Sequence, residues 1–219
     1  MRPGPATPAF FSARARAFGI GGMLGVAWFF ATVSLLHVAD GSALDWTRHY
    51  VSELANGRVG WIFGVGLLGN AVGNALVGLG LYRLLPRGAI RTAATTLFLF
   101  AATGLVLAGV FNTDPPGAAL TTAGVLHRTA VSAAFVVGLA ALVLFSGAFA
   151  SRPDWRLAAR ISATLTALAV AASAALLLAL LFGWRPGLVE RIAVAPFLAW
   201  EFWAAAHVFR HARPERSLP

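Results

Sequence analysis

Residues 59–82 read VGWIFGVGLLGNAVGNALVGLGLY, with Arg58 before them and Arg83 after. The run holds no charged side chain, and as an α-helix rising 1.5 Å per residue it extends roughly 36 Å. A bilayer's hydrocarbon core is about 30 Å thick, so one such helix crosses it. Gly64, Gly66, Gly69, Gly73, Gly78 and Gly80 crowd the run. Between helices in lipid, small residues permit close backbone approach. A phosphate-cradling glycine loop follows a strand, and no strand-like segment precedes these glycines, so they read as packing residues.

Five more runs of this kind surround it, at Ala17–Ala39, Thr92–Phe111, Leu126–Phe149, Ile161–Phe182 and Ile192–Phe209. The composition agrees: 58% of the 219 residues are hydrophobic and 11% are charged, against about 25% charged in soluble domains. That balance excludes a soluble globular domain, and its hydrophobicity excludes a disordered chain. The expected fold is all-α: a polytopic membrane protein with six transmembrane helices in one bundle over residues 17–209. A disordered tail is expected at 1–16, where Pro3, Pro5 and Pro8 gather, and a second tail at 210–219. The first apolar run exceeds the roughly 7–15 residues of a signal-peptide core, so it reads as a retained span.

The charges orient the bundle. All 17 basic residues are Arg. Three lie in the N-terminal segment (Arg2, Arg14, Arg16), three in the second loop (Arg83, Arg87, Arg91), three in the fourth (Arg152, Arg156, Arg160) and three in the C-terminal segment (Arg210, Arg213, Arg216). Only Asp154 and Glu215 offset them. The other side carries five Arg, at 48, 58, 128, 185 and 191, matched by Asp40, Asp45, Glu53, Asp114 and Glu190. The positive-inside rule then places both termini in the cytoplasm of a multi-pass cell-membrane protein. The same rule accounts for the net charge of +9, so membrane lipids are the expected partners and nucleic acid is not. The absence of Cys excludes disulfides, thiolate metal sites and a Cys nucleophile.

The outer loops hold most of the reactive side chains. In the first, Ser42 and Asp45 have capping-box spacing and Asn56-Gly57 is a stop signal. A short amphipathic helix is expected from about Ala43 to Ala55. At 100° per residue it puts Asp45, His49, Ser52 and Glu53 on one face, with Trp46, Tyr50 and Leu54 beside them. The second outer loop adds Asp114, His127 and Arg128. The third adds Glu190, read as a first-turn acid of the sixth helix, and Arg191. His49, Glu53, Asp114 and His127 are of the types that hold a divalent metal and activate water, if they converge. The bland reading of the same residues is a solvated face with ion pairs across the bundle.

Inside the bilayer, Asn70 and Asn74 lie i, i+4 on the second helix, and Glu201 lies at similar depth on the sixth. A lone carboxyl in hydrocarbon must be paired or protonated, so a hydrogen bond from Asn70 or Asn74 to Glu201 is expected. Pro196 offers a break in the sixth helix.

One ordered set of residues suggests a family. His49-Tyr-Val-Ser-Glu-Leu-Ala-x-Gly57, Gly60-Trp-Ile-Phe63, Val110-Phe-Asn-Thr-Asp114, Gly124-x-x-His127, Glu190-Arg-Ile192 and Trp200 follow in sequence. From about Gly19 to Phe209 the chain resembles the six-helix membrane family called domain of unknown function 998. The resemblance implies a compact prokaryotic six-helix bundle of unassigned activity. Its characteristic polar positions fall here on Ser52, Glu53, Asp114, His127, Glu190 and Arg191.

Three readings remain open at this level. The outer cluster binds a lipid headgroup or small polar ligand, or has a structural role. Alternatively it holds a divalent metal for hydrolysis of a lipid. Alternatively Asn70, Asn74 and Glu201 serve a small transporter. The residues by themselves name no catalytic group.

Overall fold

Each apolar run must bury its backbone polar groups within its own helix, because hydrocarbon offers them no partner. In the computed structural model, which describes residues 8–40 and 45–212, with side chains described at 14–39 and 45–212, every run is helical. The helices are α1 (Pro8–Asp40), α2 (Trp61–Leu84), α3 (Ala89–Val110), α4 (Thr122–Ala150), α5 (Arg156–Phe182) and α6 (Pro186–His211). All six are long and apolar enough to cross a membrane. Short 3₁₀ helices stand at Val51–Asn56 and Pro153–Trp155. Residues 1–7 and 213–219 of the expected tails lie outside the described residues; Pro8–Arg16 form the start of α1.

The helices form a ring in chain order. Each packs on the next, α6 closes on α1, and α2 also reaches α6 across the ring. Glycine sets the tightest crossings. A Cβ added at Gly25 would lie 2.7 Å from the Gly73 Cα, so α1 and α2 touch backbone to backbone. A Cβ at Gly64 would lie 2.5 Å from the Gly109 carbonyl oxygen, which brings α2 and α3 together in the same way. Without a hydrophobic force between helices in lipid, such contact is what holds them. Gly183, with φ of 65°, ends α5 in the left-handed conformation that glycine adopts without strain.

The bundle has two unlike ends. At one, Arg side chains stack on aromatic rings: Arg16 on Phe209, Arg83 on Phe18, Arg91 on Tyr82 and Arg152 on Trp155. The half of the bundle beside this arginine-rich end is filled by Leu81, Phe98, Phe145, Phe149, Trp200 and Val208. The Trp200 ring lies 5.5 Å from Phe98 and 5.6 Å from Phe145. A hydroxyl chain ties three helices there. Trp200 Nε1 donates to Ser162 Oγ at 2.9 Å, Ser162 meets Ser146 at 2.8 Å, and Ser146 meets Thr166 at 3.1 Å.

The other end carries the first loop, and here the sequence expectation is corrected. The α-helix expected from about Ala43 to Ala55 is not formed; Ala43 lies outside the described residues, and Asp45–His49 is a turn leading to the Val51–Asn56 3₁₀ helix. The Asp45 carboxylate explains it by accepting from both the Thr47 N–H (2.9 Å) and the Thr47 hydroxyl (2.7 Å). Such a side chain competes with the helical ladder. The Thr47 carbonyl is meanwhile taken by the Leu188 N–H at 2.9 Å, and the His49 carbonyl by Arg191.

Candidate functional site

The start of α6 stitches the first loop to the bundle. It begins at Pro186, earlier than Ile192, so Glu190 lies beyond the first turn and does not act as the first-turn acid that was expected. Instead its Oε2 accepts the Val51 N–H at 2.6 Å, a short charge-assisted geometry. Arg191 Nη1 donates to the carbonyls of His49 and Gly187, both at 2.9 Å, and Nη2 donates to His37 Nε2 at 3.0 Å. A guanidinium has no acceptor, so His37 Nε2 bears the lone pair and its Nδ1–H donates to Val33 at 2.8 Å. One arginine thus joins α1, the first loop and α6. The loop passes so close that a Cβ at Gly187 would strike the His49 backbone.

The loop between α3 and α4 is stitched by Asp114. Its Oδ1 accepts the Thr121 hydroxyl at 2.6 Å and its Oδ2 the Thr121 N–H at 3.0 Å. Thr121 in turn caps α4 by accepting the Gly124 N–H at 3.1 Å, which satisfies a free helix-start donor. The Thr121 hydroxyl and N–H, with a smaller effect of Arg128, hold the Asp114 carboxyl below its usual range. The Thr47 hydroxyl does the same for Asp45. Burial lifts Glu53 above its usual value, against opposing effects of His49, Arg128 and Arg191. Arg128 itself is exposed.

His127 closes this rim. Its Nδ1 lies 2.9 Å from the Ala108 carbonyl and 2.8 Å from that of Phe111. Both neighbours are acceptors, so Nδ1 carries the hydrogen. The other ring nitrogen, Nε2, has no partner in the protein.

Most of the sequence-derived site is therefore fastened, not open. Asp45, His49 and Glu53 do not share a helical face. Among the described residues, no three His, Asp or Glu side chains converge as a metal ion needs. Among the described residues the side-chain ion pairs within 4.0 Å are Arg48–Asp45 and Arg152–Asp154, and neither crosses the rim. The acids Glu190 and Asp114 bind N–H and O–H groups instead.

Beneath the rim lies a cavity of about 130 Å³. Ser52, His127 and Glu190 line its rim end, and Asn70, Asn74 and Glu201 line its deeper wall. The walls between are apolar. Phe29, Phe63, Phe98, Phe135 and Phe197 give one ring from every helix except α5. Asn70 Nδ2 donates to Glu201 Oε2 at 3.2 Å, as the sequence suggested. Glu201 Oε1 and Asn74 Oδ1 have no partner in the protein. Glu201 is 4%, Asn74 8% and His127 3% exposed, each more than nine-tenths buried. The five phenylalanines escaped the sequence reading, since nothing local separates them from the 11 others.

No curated protein and no solved structure matches the chain. A family model does, that of "Protein of unknown function (DUF998)", over residues 23–207. The match spans the rim and the whole cavity, from Phe29 to Glu201. The chain therefore belongs to this family of membrane-type helical bundles.

Proposed function

We propose that the protein binds, inside its bundle, a small apolar molecule that carries a hydrogen-bond donor. One observation carries this reading: three residues lining a single apolar cavity each hold a buried polar atom with no partner in the protein. Leaving such an atom unmet costs about 1–3 kcal/mol. Asn74 Oδ1 can only accept, so the matching ligand group is a hydroxyl or an amine, and the unpartnered His127 Nε2 belongs to the same lining. Glu201 Oε1 lies on the same wall system and suits either. Apolar walls with a few placed polar groups are the usual make-up of a ligand pocket. The volume supports a small occupant, since a dry cavity of about 150 Å³ holds benzene.

Three rival readings have less support. A through path for transport would continue past Glu201, yet Trp200, Phe145 and Phe149 fill that half without exposure. A metal-dependent hydrolase would need the dispersed rim ligands to gather. A headgroup site at the rim would rest on exposed Arg128, since Arg191 already spends its guanidinium on three partners.

The arginine asymmetry supports an orientation with both termini in the cytoplasm and the rim outside, so the cavity sits toward the outer leaflet. Reporter fusions at the C-terminus test this: an enzyme active only in the periplasm should stay silent. The binding reading is tested on protein in lipid nanodiscs by thermal unfolding with phenol, aniline and benzene. Phenol or aniline should raise the Tm where benzene does not. Replacing Asn74 and Glu201 by Leu should erase the difference. Equal shifts from all three probes, or none from any, would sink the reading.

A further inference from the structure

We infer that the ligand of this cavity reaches it sideways from the bilayer, between α4 and α6, through a gate formed by Phe135 and Phe197. The inference rests on the binding reading above. Its starting point is a gap in the cavity wall. The cavity is walled by α4 on one side and α6 on the other, and no Cα of α4 comes within 8 Å of any Cα of α6. α5 packs on both helices but supplies no residue to the lining; it bonds α4 through Ser146, Ser162 and Thr166, in the packed half below the cavity.

Burial marks the same gap. The α2 residues on the cavity wall, Phe63, Leu67, Asn70 and Asn74, are buried. On α4 and α6, the wall residues Val131, Phe135, Val194, Phe197 and Leu198 are partly exposed, while Ala134, Gly138 and Leu142 of α4 are buried. The cavity is therefore shut on the α2 side and more thinly covered between α4 and α6. One ring pair bridges the two helices there. Phe135 and Phe197 meet edge to face, with centroids 5.1 Å apart. Such a pair is a modest contact, and aromatic side chains can swing where no backbone contact pins the helices.

Two backbone features let this pair move. Gly138 stands opposite Phe197, where a Cβ would lie 3.4 Å from the ring; only a hydrogen borders the ring there. Pro196 precedes Phe197 inside α6. Proline has no N–H to give the carbonyl four residues back, that of Ile192, and this loosens the helix at the edge of the gate.

The rim supplies the complementary half of the case. At the aqueous end Glu190, Arg191, Asp114 and His127 are all engaged in bonds that tie loops to helices. Entry from water would break several of those bonds, whereas lateral entry separates one ring pair. A ligand taking this route is dissolved in the hydrocarbon before it binds, which makes it an alkyl or cyclic molecule with one hydroxyl or amine head and not a charged metabolite from solution.

The chain has no Cys, so a pair introduced at the gate is unique. With the Cα atoms more than 8 Å apart, Phe135→Cys and Phe197→Cys are too distant for a direct disulfide. A short bis-methanethiosulfonate can bridge them and is released by reductant. The probe is a cyclohexanol bearing a ring diazirine, added to nanodisc bilayers and photolysed at short times, with adducts mapped by mass spectrometry. In the unbridged protein, adducts are expected on the back wall at Leu67, Asn74 and Ala101. Bridging should lower their rate of appearance at least about tenfold, and reductant should restore it. Phe135→Ala with Phe197→Ala should raise the rate instead. Back-wall adducts that form equally fast with a complete bridge overturn the gate and leave the binding reading standing. No back-wall adducts in the wild-type protein overturn both. If the first Cys pair fails to fold, Val131→Cys with Val194→Cys carries the same bridge.

Discussion

The two halves of the bundle both place polar side chains among helices, yet they treat them differently. In the half beside the arginine-rich end, Trp200, Ser162, Ser146 and Thr166 form a chain in which each donor finds an acceptor. Aromatic rings fill the rest of the space. In the half beneath the rim, Asn74, His127 and Glu201 each retain an unmet atom, and about 130 Å³ stays open beside them. A satisfied polar network rigidifies helices; an unsatisfied one is costly, and it persists where something else completes it. Thr95 Oγ1 and His207 Nε2, in the arginine-rich half, also lack a partner, so what sets the half beneath the rim apart is that its unmet atoms line one open space.

The largest expected effect breaks the scaffold side. Trp200→Ala removes a fully buried ring and the donor to Ser162, and should cost about 3–5 kcal/mol; reversible unfolding in mixed micelles measures it. Phe63→Ala, on the cavity wall, should cost visibly less, because space already adjoins it. Next comes the clasp between the halves and the first loop. Arg191→Leu removes three charge-assisted bonds and should cost about 2–3 kcal/mol. Limited proteolysis within Trp46–Tyr50 should speed up in parallel; an unchanged cleavage rate would show that the clasp does not hold the loop.

A smaller pair of effects is the sharpest test of the comparison, because the signs differ. Ser162→Ala strands the Trp200 N–H and should destabilise by about 1–2 kcal/mol. Asn74→Leu removes an atom that nothing in the protein satisfies, so its stability should be unchanged or slightly higher. Equal losses at the two sites would mean that the two networks are alike. The smallest effect is at the rim and follows pH. Thr121 holds the folded Asp114 carboxyl below its unfolded value. Its contribution is therefore fully present above the unfolded pKa of about 3.9 and is lost as pH falls through the lower folded value. Asp114→Asn should flatten the fall in Tm below about pH 4, and an unaltered slope would remove Asp114 from the acid response.

Much of the scaffold was legible because hydrocarbon imposes one-dimensional rules. Six long apolar runs, glycines in α2 and the Asn70–Glu201 pairing follow from length, size and the cost of a lone carboxyl. The first loop misled for a local reason. Its helix signals were real, but Asp45 spent its carboxylate on Thr47, and the carbonyls of Thr47 and His49 were claimed by α6. The bonds of the outer acids and histidines were hidden for a similar reason: their types suit metal ligands, but Asp114 and His127 each bond a neighbouring helix end. No spacing in the chain announces that Thr121 or the Ala108 carbonyl will be the partner.

What the amino-acid sequence alone determined is the class: six helices able to cross a bilayer, the division of charge between their ends, and a buried acid beside an amide. These depend on properties summed along one segment. What only the tertiary structure decided is where the empty space lies and which polar atoms stay unmet beside it. Five phenylalanines from five helices, a free His127 Nε2 and the gap between α4 and α6 exist only once the ring closes, because each depends on the distance between residues far apart in the chain.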